Sequence, residues 1–118
     1  MATLEQLARA ALGRDSLQLR SLAQDFLREN DHLSDYSRPE INDVRILGTA
    51  AALIELFALC QKQAPPSWTQ DVGPLPEPFF LRESAEKFKR LRAQCETQAP
   101  EPLRKRHLYA PPNFLEFA

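Results

Sequence analysis

Glycine is scarce in this chain, with three in 118 residues, at positions 13, 48 and 73. Isolated glycines cannot form the clustered, close-approach loop that cradles a phosphate chain, so that kind of nucleotide site is excluded. Cysteine and histidine are just as sparse. Cys60, Cys95, His32 and His107 are single residues without a CxxC or HxxxH neighbour. Zinc requires such ligands at close spacing, so neither a metal nor another cofactor is expected. No apolar run is long enough to cross a bilayer, because the best one contains Arg45 and Glu55. The N-terminal MATLEQLARAALGRD interleaves charges with its apolar residues and has no basic region ahead of an apolar core. It does not read as a signal peptide, and a cytoplasmic protein without a membrane role is the expectation.

Proline, in contrast, is plentiful, with ten residues, all but Pro39 clustered between 65 and 78 and between 100 and 112. Such spacing makes rigid connections rather than flexible linkers. The one long Pro-free apolar stretch is 43–63, DVRILGTAAALIELFALCQKQ. Ile46, Leu47, Ala50, Leu53, Ile54 and Phe57 follow helical spacing, and Leu56 and Leu59 widen the stripe. Arg45, Thr49, Glu55 and Lys62 remain for a wet side. A helix this apolar needs neighbours on more than one flank. Gly48 within it marks a point where another backbone comes close.

The remaining segments arrange themselves around that helix. Thr3 and Gln6 have capping-box spacing, and Leu4, Leu7, Ala8, Ala11 and Leu12 form the face of a first helix that Gly13 ends in the left-handed conformation. Asp15 caps a second, with Leu19, Leu22, Ala23, Phe26 and Leu27 inward. Between 30 and 42 turn formers dominate, and the central helix starts either at a Ser37/Glu40 capping box or at Asn42 or Asp43. Residues 64–80 hold five Pro in 17 positions, a non-helical strap. Trp68 and Phe79 either anchor it in the core or form an exposed docking surface. Residues 82–97 resume a helical pattern through Leu81, Ala85, Phe88, Leu91 and Cys95, and PEPLRKRH reads as a short helix. Phe114, Leu115 and Phe117 are expected to dock. Cys60 and Cys95 fall on core positions of two helices, as inert thiols. The whole is expected to be an all-α single domain, a small bundle around one buried helix.

Net charge is only −1, yet residues 1–81 carry 7 Lys/Arg against 11 Asp/Glu and residues 82–118 carry 8 against 5. Solvated helix faces account for this division, and a dipolar molecule of this kind can also steer a charged partner. Asp25, Asp31, Asp35, Glu40 and Asp43 supply an acid–base pair only if they converge in a pocket, and turn and cap roles explain them more simply. The basic run LRKRH, with Lys87, Lys89, Arg90 and Arg92, is the one patch with a phosphate-binding character. Glu83, Glu86, Glu96 and Glu101 dilute it.

At PPSWT, LPEPFFL, PLRKR and APPNFL the chain resembles a family of small uncharacterised bacterial helical proteins, over about residues 44 to 118. Members of such families are discussed beside toxin–antitoxin-like pairs. The resemblance therefore implies a binding partner more than a reaction, and no family active site is carried over. It singles out Trp68, Pro78, Phe79, Arg104 and Phe114, whose simplest shared role is to let strap and tail close the core. The expected function is non-enzymatic: a protein-interaction or regulatory protein, antitoxin-like or homodimeric. Trp68, Phe79, Lys89, Arg92, Arg104, Lys105 and Arg106 are the candidate contact residues, with nucleic-acid binding by residues 82–107 as the other reading.

Overall fold

A computed structural model describes residues 2–81, 88–110 and 114. Helix α1 (Leu4–Leu12) opens on the expected capping box: Thr3 Oγ1 accepts from the Gln6 N–H at 3.2 Å, and Gln6 Oε1 accepts from the Thr3 N–H at 3.0 Å. Its end departs from expectation by one residue. Gly13 keeps a right-handed φ of −79°, and Arg14 takes the left-handed position at φ 57°. The Arg14 and Asp15 N–H groups then close a Schellman turn on Ala11 and Ala10, both at 3.1 Å. Asp15 caps α2 (Ser16–Glu29) by accepting from the Gln18 N–H. Leu19, Ala23 and Phe26 are the buried face of α2.

Helix α3 (Val44–Cys60) begins at Asp43, whose carboxylate takes the Arg45 and Ile46 N–H groups at 2.8 and 3.4 Å. Residues 37–42 form no helix, so the capping box at Ser37 is not used. From 48 to 58 every residue of α3 is buried. Thr49 and Glu55, expected on a wet side, are inside with the rest, at 0% and 8% exposure. Leu53, Ile54 and Phe57 are sealed completely or nearly so, and burial of each is worth about 1.5–3 kcal/mol. Helix α1 covers one side of α3, and the segment around α5 (Glu101–Arg104) covers another. Burial stops at the last turn, where Leu59 is 60% exposed and Cys60 faces solvent. Cys60 is therefore not a core thiol, whereas Cys95 is.

The strap crosses α3 at Gly48. A Cβ there would stand 2.8 Å from Leu75 Cδ1, so the missing side chain makes room for a buried leucine. The strap is not wholly extended: Ser67–Asp71 is a 3-10 turn, short enough to fit between prolines. Trp68 is half-buried and donates its Nε1–H to the Tyr36 carbonyl at 2.8 Å. Beyond it, Pro74, Pro76 and Pro78 alternate with Leu75, Glu77 and Phe79. The Leu75 and Phe79 N–H groups pair with the carbonyls of Arg106 and His107, at 3.1 and 2.9 Å. The exposed prolines have no N–H to leave open on the outer edge. Two short strands result, β1 (Phe79–Phe80) and β2 (Leu108–Tyr109), paired in parallel. The sequence pattern did not anticipate them.

The rest of the all-α assembly is lighter. Helix α4 (Lys89–Gln98) buries only Cys95, in a side cluster with Phe80 and the half-buried Leu91 and Tyr109. The expected helical start at residues 82–87 lies outside the described residues. Phe88, read as a core position, is the N-cap of α4 and 62% exposed. Phe114 packs against the core as expected; Leu115 and Phe117 lie outside the described residues.

Candidate functional site

Glu55 is the one acid in the buried run of α3. Its neighbours at three and four residues' distance are Ala51, Ala52, Ala58 and Leu59. No cation on the same helix can answer it, so a buried carboxylate there requires one from elsewhere. The segment after α5 supplies two. Lys105 Nζ reaches Glu55 Oε2 at 2.8 Å, and Arg106 Nη1 makes an ion contact with Glu55 Oε1. Arg106 is 3% exposed and also donates Nη2–H to the Thr69 carbonyl at 2.7 Å. One side chain thus joins central helix, strap and C-terminal segment. The His107 that follows has φ 64°, and its Nδ1–H donates to the Leu75 carbonyl at 2.9 Å. A carbonyl only accepts, which places the proton on Nδ1.

Two charges of one sign meet one of the other here, which leaves the cluster one positive charge in excess. Beside it is an open hollow of about 300 Å³ lined by Gln70, Val72, Pro74, Lys105 and Arg106. A second hollow of about 450 Å³ is lined by Asn30, His32, Asp35, Tyr36, Ser37, Arg38 and Pro39. Of the acids between 25 and 43, only Asp35 borders it. Asp25 pairs with Arg28 and Asp43 caps α3, so the acidic segment does not converge on one point. Among the described residues no group of three or more His, Cys, Asp or Glu is placed to hold a metal.

The candidate contact residues separate into three places. Phe79 is half-buried beneath two guanidinium groups, those of Arg14 at 4.9 Å and Arg45 at 5.4 Å from its ring centre. Together with Trp68 it is held by intramolecular contacts. Lys89 and Arg92 are exposed on α4 with Arg90 beside them, Arg92 pairing with Glu96 at 3.0 Å and lying over Phe80. Arg104 points back to the α4 end and donates to the Thr97 carbonyl at 2.9 Å. The run LRKRH is therefore not one surface: Arg104 and Lys105 are exposed, but Arg106 is an interior cation. Glu55 was read only as a wet-side residue, and Thr69 was not singled out in the sequence. For Glu55 a signal was there, an acid in an apolar run without a local basic partner.

No family model matches the chain, and no match to it was found among curated proteins or solved structures.

Proposed function

We propose that the protein works by binding another protein, with α4 as its contact element and an acidic segment of the partner as the thing recognised. The observation that carries this reading is the composition of α4's outer surface. Phe88 stands 62% exposed beside the exposed Lys89, Arg90 and Arg92, on a helix that buries only Cys95. An exposed aromatic followed along the helix by exposed cations suits a partner that offers apolar and acidic groups together. The positive balance of residues 82–118 favours encounter with such a surface. A regulatory role of the antitoxin kind, in which one protein occupies another, is one form this binding takes.

Nucleic acid fits the same cations less well. Arg106 is committed to Glu55, and Glu96 neutralises Arg92 in part. A photo-crosslinking residue at position 88, followed by mass spectrometry, tests the proposal. The expected product is one protein crosslinked through an acidic segment, and the triple variant Lys89→Glu, Arg90→Glu, Arg92→Glu abolishes it. Crosslinks that survive charge reversal contradict the reading, as does tighter binding of duplex or single-stranded oligonucleotide than of any protein.

A further inference from the structure

The Arg106 guanidinium is almost sealed from solvent, yet its Nε–H has no partner among the described residues. Its other nitrogens are engaged: Nη1 with Glu55 and the Pro102 carbonyl, and Nη2 with the Thr69 carbonyl. A buried cationic donor left open is costly, and native structures seldom leave one without a reason such as a bound ion. Arg106 is also among the residues that line the 300 Å³ hollow, together with Lys105 and Gln70. Lys105 keeps its side chain 47% exposed, so one face of its ammonium meets Glu55 and the rest remains open to solvent. Gln70 adds an amide that donates and accepts.

We propose that this hollow binds a small oxyanion of the phosphate class. One oxygen takes the Arg106 Nε–H at the inner end, and the others take Lys105 and Gln70 nearer the mouth. The charge count agrees, because Glu55 leaves one of the two cations uncompensated and an entering anion neutralises it. Val72 and Pro74 make the remaining wall apolar. Glu55 limits the affinity: it holds Arg106 in place and also repels the anion. This site is separate from the α4 contact surface and stands or falls independently of it.

Inorganic phosphate, titrated at constant ionic strength against chloride, is the probe. The readouts are the Arg106 Nε–Hε resonance and the backbone amides of Gln70, Val72 and Lys105 in ¹H–¹⁵N spectra. The expected result is a saturable shift confined to those groups, with Lys105→Gln weakening affinity about tenfold and Lys89→Gln leaving it unchanged. Acetate in a parallel titration distinguishes a carboxylate from a phosphate site, and the proposal requires phosphate to bind more tightly. Glu55→Gln removes the competing charge, so its phosphate affinity rises. Four results would overturn the site: a response that does not saturate, one matched by chloride, one that moves α4 amides instead, or acetate binding at least as tightly as phosphate.

Discussion

Replacing Arg106 by Met tests whether the Glu55 cluster holds the fold together. The substitution keeps an unbranched apolar stem but removes the ion contact to Glu55 and the hydrogen bond to Thr69. Glu55, 8% exposed, is then left with Lys105 alone, and that pair is partly screened because the Lys105 side chain is 47% exposed. Removing one partner of a buried ion pair costs about 3–5 kcal/mol. The Thr69 carbonyl keeps its bond from the Val72 N–H at 3.1 Å and loses only the one from Arg106. Against a total stability on the order of 5–15 kcal/mol, this is a large fraction. Lys105→Ala serves as the contrast and costs at most about 1 kcal/mol. The double variant Glu55→Leu, Arg106→Met recovers most of the loss, since an apolar pair of similar volume can replace a buried ion pair almost without penalty. Urea denaturation of the wild type, Glu55→Leu, Arg106→Met and the double variant, followed by circular dichroism and by Trp68 fluorescence, gives the four stabilities of the cycle and hence the coupling energy. A cost below about 1 kcal/mol for Arg106→Met, or strictly additive losses in the double variant, would refute the reasoning.

Other substitutions probe the remaining contacts. Leu75→Ala empties the seat over Gly48 and is expected to cost about 2–5 kcal/mol in the same denaturation assay. Lys62 ends α3 at φ 57° with its side chain in solvent, so Lys62→Gly relieves left-handed strain and stabilises by about 0.5–1 kcal/mol, visible as a higher melting temperature. Trp68→Phe gives up the hydrogen bond to the Tyr36 carbonyl, a loss of about 1 kcal/mol by denaturant midpoint. Phe88→Ser shifts stability by less than about 0.5 kcal/mol, because the ring is largely exposed, while abolishing pull-down of the partner that crosslinking identifies.

The helical half of the fold was legible because its signals are local. The Thr3/Gln6 box, the Asp15 cap and the apolar spacing of α1 and α3 each involve residues within four of one another. The strap was readable in outline, since five prolines leave little freedom, but its pairing with β2 depends on partners about thirty residues away. Gly13 was the expected left-handed residue, yet Arg14 holds that position. From there its Nε–H donates to the Phe80 carbonyl at 3.0 Å and its guanidinium covers Phe79. That long-range gain offsets a local penalty of about 1–2 kcal/mol. The basic run near the C-terminus shows the same limit. Nothing in LRKRH itself distinguishes Arg104, at the surface, from Arg106, which turns inward to meet an acid on α3.

Native-state hydrogen exchange tests most directly the claim that residues 48–58 of α3 are enclosed and pinned by the C-terminal segment. The amides of residues 48–58 are expected to exchange only through global unfolding, with free energies equal to that from denaturation, while α4 amides exchange through smaller openings. Exchange of the α3 amides at or before the rate of α4 would contradict the account.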